Sequence, residues 1–524
     1  MAKSVRAPRA DAASASALER ALSCSGSSSC RCVSLRGPMA QGRRVWSGRD
    51  VGTWRPTSAS FLAIPIACAQ QAAKSGWVFR QPAQNLSLDF ASPPIRIMHS
   101  RYESALSPVP LPRVARAMVA RLRRVRAHPM LNPAAFEEGW CERAGYAVDP
   151  DHRPHLVAAL GWLTRAQDAT GQGGLARGYS LGWNPFFRSR AWQPADAGAT
   201  GELIPLLYGA ARHLHRPALA ERAERAARWE LELQLSSGAV RGGIIGERTA
   251  PAVFNTGQVL LAWLAAFGET GAGIFAGAAR RAAWFLLATL GDDGVWRQGT
   301  SAETTRDAAL YNARTAWALA EAGRRLRAPE FRAAAAKALR AVARRQHDDG
   351  WMPECCFTDP LRPRLHTVAE AIRGLLEGGR VLGDAGLIAR AAAAAERVAC
   401  AVDPVGRLPG RFAIGWGPAA SWSCMAGMAQ MANIWLRLYE TTRERRWLEP
   451  VDAVLRFLKS TQNRGTQDPG VRGGIKASFP VGAKDGGYQV LSAATAGFVD
   501  SLIRDERRRA GINTSLPESS FPGT

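Results

Sequence analysis

His366 and Glu370 stand four residues apart in "LHTVAEAIRGLLE", with Arg373 three further on, a spacing that puts all three on one face if the segment is helical. An imidazole beside a carboxylate offers a proton acceptor and a donor, and a guanidinium nearby neutralises negative charge as it develops. Related groups recur along the chain: Asp196 and Glu202 in "ADAGATGELIP", Tyr311 and Arg314 in "LYNAR", and the polar or aromatic residues Asn255, Gln258, Trp422, Gln430 and Tyr488. Each type also has a structural use. A histidine at a helix start is commonly hydrogen-bonded in place, Tyr311 can be a packing residue, Trp422 a wall residue and Asn255 a helix cap in "FNTG".

These residues need a scaffold that brings them together, and the chain supplies a repeat. A helical run ends in "RQHDDGWMPEC" at 345–355, and similar endings are "QDATGQGG" from Gln167, "QLSSGAVRGG" from Gln234, "LGDDGVW" from Leu290, "VDPVGRLPGRF" from Val402 and "QNRGTQDPGVRGG" from Gln462. The endings recur at intervals of 67, 56, 56, 56 and 60 residues, the mark of a repeat whose units cannot cover their own apolar faces alone. Gly350 takes the positive φ of a helix stop and Trp351 packs back over the helix end, so the acids Asp292, Asp293, Asp348 and Asp349 are read as turn devices.

Each interval divides into two helices, for example "FNTGQVLLAWLAAFGE" and "GAARRAAWFLLATL" around "TGAG". The first member of each pair is apolar or small over much of its surface, whereas the second is amphipathic with an Arg-rich face. The first is therefore inner and the second outer. With "HLVAALGWLTRAQ" (155–167) as first outer helix and "YQVLSAATAGFVDSLI" (488–503) as last inner one, six of each alternate, which predicts an all-α (α/α)6 toroid. An open solenoid of hairpins is the alternative. The inner helices run one way, so their N-termini converge on one mouth, where the residues named above fall. Hydrogen-bonding and aromatic groups in such a concavity suit a sugar, and the arginines suit a uronic acid. Hydrolysis would use Asp196 or Glu202 with Glu370. Elimination or epimerisation would use His366 or Tyr311 as base and acid, with Arg314 or Arg373 holding the carboxylate. Both chemistries stay open.

The repeat resembles the Gln-to-Trp repeats of terpenoid cyclases and protein prenyltransferases. The ring as a whole resembles the six-hairpin glycosidase and polysaccharide lyase superfamily, over about 150–505. The strings "GGLARGYSL", "FNTGQVL", "HTVAEAIRGLLE", "CMAGMAQMANIWLRLYE" and "GGIKASFP" are similar to a family of toroid proteins associated with bacterial exopolysaccharide loci. That resemblance implies a carbohydrate-active enzyme, a hydrolase or a uronate lyase or epimerase, with a polysaccharide or oligosaccharide as its partner. Two departures, "QPADAGATGELIP" in place of a Pro-Glu-Thr-Thr-Gly pattern and the tail "VGAKDGGYQVLSAATAGF", keep a non-catalytic glycan-binding toroid in view. A terpenoid cyclase or prenyltransferase is a further alternative, but the chain has no Asp-x-Asp-Asp motif and no evident prenyltransferase zinc pattern.

The composition bounds these readings. The chain has 524 residues, 47% hydrophobic, and a formal net charge of +24, which raises the possibility of nucleic acid. Residues 1–130 hold 20 Lys and Arg against 5 Asp and Glu, leaving 48 against 39 for the rest. The basic excess thus belongs to the N-terminal part, and no nucleic-acid partner is expected. No apolar run approaches the length of a membrane span. Residues 1–105, rich in Ser, Pro, Ala and Arg without a helix or strand period, read as a disordered or mis-called extension, with translation starting at Met98 or Met118 in the second case. The expected divisions after it are a helical lead-in (106–150), the toroid (151–505) and a disordered tail (506–524). "FLAIPIACAQQA" (61–72) resembles a signal-peptide core only if the start is Met39, so a cytoplasmic, reduced setting is expected. The nine cysteines follow no pairing rhythm, and Cys355, Cys356 and His366 fit no zinc-ligand spacing. Buried thiols are expected there, and no motif calls for a metal or cofactor.

Overall fold

The computed structural model describes Met118 and residues 131–187, 189–242, 250–297, 310–356 and 359–512. By contacts the chain divides into one unit comprising Met1–Cys24 and Pro112–Thr524 and a second, Ser25–Leu111, which lies outside the described residues. So do the expectations made for residues 1–105, the signal-like stretch included.

Local chemistry makes the helices. In Pro329–Arg345, Pro329 opens the helix, Glu330 lies in the first turn and Arg344 and Arg345 in the last, the order that the fixed proline φ and the helix dipole favour. Its buried residues, Phe331, Ala334, Ala335, Ala338, Leu339, Ala341 and Val342, follow a spacing of three to four positions, leaving the arginines on the other face. After a lead-in helix α1 (Pro133–Ala144), the outer helices are α2 (Arg153–Asp168), α4 (Pro217–Leu233), α6 (Gly273–Thr289), α8 (Pro329–Arg345), α10 (Ala385–Ala399) and α12 (Leu448–Ser460). The inner ones are α3 (Ala197–Leu214), α5 (Val253–Thr270), α7 (Ala313–Arg325, entered by a 3-10 turn), α9 (Leu365–Leu382), α11 (Met425–Thr442) and α13 (Ser492–Arg509).

Each inner helix packs on the next, and α13 packs back on both α3 and α2. The ring therefore closes as an (α/α)6 toroid, and the open solenoid is excluded. A three-stranded sheet staples the seam: β1 (Gly178–Asn184) pairs antiparallel with β2 (Ser189–Trp192) and with β5 (Gln489–Leu491) from the last loop, Gly178 opposite Leu491. A two-stranded pair, β3 (Ser423–Cys424) and β4 (Ser478–Phe479), lies before α11. The last inner helix begins at Ser492, later than the expected 488, and runs across the expected boundary at 505 to Arg509. Lys476 ties the lead-in helix to the ring, since its buried ammonium lies 2.7 Å from Glu138 and 3.3 Å from Glu142.

The repeated glutamine is a clamp between neighbouring units. Gln346 Nε2 donates to the Gly350 carbonyl (3.1 Å) and to Arg390 of the next outer helix (3.0 Å). Gln167 and Gln234 make the same pair of bonds, to Gly173 and Arg222 and to Gly238 and Ala278. Gln462 closes the circle by donating to Gly473 (2.7 Å) and to His155 of the first outer helix (3.1 Å). Gly350 has φ +83°, and a Cβ there would meet the Ala393 carbonyl carbon at 3.1 Å; Asp349 Oδ1 accepts from the Trp351 amide at 2.9 Å. The loop acids Asp293 and Asp349 are thus turn residues, as their spacing suggests.

Gln462 is fully buried, and its Oε1 lies 2.6 Å from His155 Nδ1. Burial holds that imidazole down to about 4, so it is neutral at pH 7, donating from Nδ1 while Nε2 accepts from the Asp149 amide. Gln462→Ala strands the His155 ring and two carbonyls at the seam. Its expected cost is about 2–3 kcal/mol, read from urea unfolding of the purified chain; an unchanged midpoint would show that the clamp carries no stability.

Candidate functional site

Four inner helices meet at a buried polar belt. Arg314 of α7 donates from Nη1 to Glu370 Oε2 of α9 (2.6 Å) and lies 3.0 Å through Nη2 from Glu202 Oε1 of α3. Gln430 of α11 donates to Glu370 Oε1 (2.5 Å), and His366, one turn before Glu370, places Nε2 3.4 Å from the same oxygen. The close approach of α7 and α9 depends on Gly374, because a Cβ there would sit 2.1 Å from the Ala313 carbonyl carbon. With that glycine the backbones touch and Arg314 reaches Glu370.

The belt separates protonation states. Burial raises Glu202, against the pull of Arg314, to about 7. Burial would also raise Glu370, but Arg314, His366 and the hydrogen bonds from Gln430 and Arg314 outweigh it and hold the carboxyl below its ordinary value. Burial lowers His366, against the opposing pull of Glu370. Near neutrality the belt thus combines a substantially protonated Glu202, an ionised Glu370 and a neutral His366. Exposure alone does not set these states, since Glu370 is 1% exposed, Glu202 14% and His366 27%.

Below the belt runs a cavity of about 250 Å³ along the ring axis, reached by Glu202, Gln258, Arg314, Arg373 and Gln430 from above. Gln258 is 1% exposed, and neither of its amide atoms has a hydrogen-bond partner among the described residues; Trp317 Nε1 is likewise unpartnered. Arg373 lies 3.3 Å from Asp500 and 5.7 Å above the Trp317 ring. Deeper, Arg437 bonds Glu377 (2.9 Å), whose carboxyl burial would raise but Arg437 and Arg380 hold well below the usual range.

Of the residues singled out in the sequence, Glu202, Gln258, Arg314, Glu370, Arg373, Gln430 and His366 come together at the belt or the cavity below it. The others lie elsewhere. Asp196 is the N-cap of α3, accepting from the Ala199 amide (2.8 Å), and pairs with Arg177 (3.2 Å). Asn255 is not a cap: Ala252 holds that position in α5, and Asn255 donates to the Arg241 carbonyl (3.3 Å). Tyr311 is 2% exposed and packs edge-on against Phe254. The Trp422 ring lies over Gly410, where a Cβ would meet it at 2.3 Å. Tyr488 sits in the loop before β5, with φ +56°. Cys355 is buried and its thiol donates to the Thr367 carbonyl (3.1 Å). The deep charges Glu377, Arg437, Asp500 and Arg504 were not singled out; their signal was charge inside an apolar inner helix, as in "MANIWLRLYE".

A closed ring of six inner and six outer helices around a polar axial cavity is an (α/α)6 toroid. Among solved structures the chain is similar to a heparin-specific unsaturated glucuronyl hydrolase (16% identity, 69% of this chain and 98% of that one, TM-score 0.55). It is similar also to cellobiose 2-epimerase from Bacillus thermoamylovorans (13%, 67% and 98%, TM-score 0.53) and to a D-mannose isomerase (12%, 67% and 97%, TM-score 0.51). At these identities the likeness is one of fold. No family model matches the chain, and neither does any curated protein. Among the described residues no helix is long and apolar enough to cross a membrane.

Proposed function

We propose that the chain is a carbohydrate-processing enzyme in which Glu202 gives a proton and His366 takes one. The observation that carries this reading is that the chain of contacts Glu202–Arg314–Glu370–His366 joins a carboxyl raised to about 7 to an imidazole lowered; such divergence within one site assigns acid and base. The solved structures it resembles, named as a glycan hydrolase, a sugar epimerase and a sugar isomerase, support a sugar as substrate, here an oligosaccharide or a bacterial polysaccharide. In hydrolysis Glu202 protonates the departing glycosidic oxygen as the C–O bond breaks. His366, its Nε2 turned toward Glu370, takes a proton at Nδ1 from the water that bonds to the anomeric carbon. Ionised Glu370 then stabilises the imidazolium.

A second reading, proton transfer between adjacent carbons as in epimerisation, is favoured by one detail. Glu202 and Glu370 share a single guanidinium, and Asp196 is committed to its helix cap, so an imidazole rather than a second free carboxylate is the available base. Incubating the full chain in D2O with neutral and uronic-acid oligosaccharides distinguishes the readings. New reducing ends alone mean hydrolysis, and deuterium at a ring carbon without cleavage means epimerisation or isomerisation. Reducing ends together with unsaturated-uronate absorbance mean elimination. No change in any substrate overturns the proposal.

The pH dependence follows from the same shifts. The acid must be protonated, so activity falls as pH rises through about 7; the base is neutral from below the ordinary histidine value of 6.5, so the acidic limb lies below that. A kcat/KM profile that still rises above pH 8 would contradict the assignment.

A further inference from the structure

At the C-terminal end of the inner helices the lumen is walled by Arg212 of α3, Arg325 of α7, Arg380 of α9, Arg437 of α11, and Arg504 and Arg507 of α13. Helix C-termini carry negative partial charge and favour cations in their last turn, which accounts for some of these residues. Five are also matched by carboxylates: Arg212 by Glu269, Arg325 by Glu321, Arg380 and Arg437 by Glu377, and Arg504 by Asp500. Arg507 is different. It lines the same cavity, yet no ion pair joins it to any carboxylate among the described residues.

Glu440 also pairs with Arg437 and Arg504, so these six arginines face five carboxylates, Glu269, Glu321, Glu377, Glu440 and Asp500, and one positive charge is left over. Burial and the neighbouring Arg212 and Arg504 outweigh the pull of Glu440 and hold the Arg507 guanidinium below its ordinary value, the direction expected of a cation crowded by its own kind. Higher in the same cavity, the buried amide of Gln258 presents an unpartnered donor and acceptor, an arrangement that costs stability unless a ligand engages it.

We propose that this end of the lumen is an oxyanion-binding site, separate from the Glu202–Arg314–Glu370 belt, in which Arg507 and Arg504 grip a carboxylate, phosphate or sulfate group. Guanidinium forks match all three groups in a bidentate way, and a concave cavity screens the pairing less than an open surface does. The site lies toward the opposite end of the ring from the mouth where the inner-helix N-termini converge. An anionic ligand held there would extend along the axis toward Gln258.

Isothermal titration of the full chain with inorganic phosphate, sulfate, glucuronate and, as a neutral control, glucose tests this directly. At least one anion is expected to bind, more weakly as salt is raised, and glucose is not; which anion binds identifies the charged group. Arg507→Ala is expected to weaken that binding by about tenfold or more, with Arg507→Lys recovering part of it as a point charge. Anions that bind no better than glucose, or an Arg507→Ala protein that binds as the parent does with its helical circular dichroism intact, would overturn the proposal. The readout needs no turnover, so failure of the acid–base reading at Glu202 and failure of this site are separate results.

Discussion

Glu202→Gln is expected to lower kcat by about 10²–10⁴-fold, the range that a positioned general acid contributes, with little change in KM and no loss of fold. The substitution is nearly isosteric, and the amide oxygen still faces Arg314 Nη2, now 3.0 Å from Glu202 Oε1. Because burial raises the Glu202 carboxyl to about 7, a neutral side chain already occupies this place over much of the acidic range, so glutamine imitates the folded state's own form. The proton is what glutamine lacks. The decline in activity above about pH 7 should vanish along with the rate, leaving a residual activity without an alkaline limb. Steady-state kinetics across pH, beside a thermal melt, check both halves. A variant that keeps its kcat, or keeps the alkaline limb, would remove Glu202 from the chemistry.

Arg314→Met is expected to damage stability as well as activity. Glu370 is 1% exposed and relies first on Arg314 to stay ionised; removing one partner of a buried pair costs about 3–5 kcal/mol. In the parent, Glu370 lies below its ordinary value of 4.5, so its contribution to stability is present above that value and lost as pH falls. Without Arg314, burial acts with less opposition and the folded-state value rises. The sign then reverses, and the variant should lose stability as pH rises above about 4.5. Glu370→Gln in the same background should return part of the loss, because no charge is left unmatched. Urea unfolding of the two single variants and the double variant across pH measures this, and strictly additive losses would show that the two residues do not interact.

The positions of the helices were legible because their signals are local. The glutamine-to-glycine endings, the Ala-rich outer helices with arginine on one face and the apolar inner helices each reflect hydrogen bonding or amphipathicity within a few residues. Even the pairing of His366 with Glu370 follows from the helical turn that separates them. Other placements needed a third dimension. Asp196 looked like one of a catalytic carboxylate pair, but the start of α3 uses it as a cap for the Ala199 amide. Tyr311 looked available, and the packing of consecutive units sets it edge-on against Phe254.

Chain-local periodicity and capping suffice for the alternation of six inner and six outer helices, the turns between them and a set of polar residues near the inner-helix starts. Tertiary structure alone decided that the ring closes and that Gln462 reaches back to His155. It also decided that one guanidinium stands between carboxylates 112 and 56 residues away, and that an arginine-rich floor lies beneath them. Those relations depend on which helix faces meet around the axis. That outcome rests on the summed packing of all twelve toroid helices, on contacts as close as Gly374 against Ala313, and on the cost of burying charge without a partner.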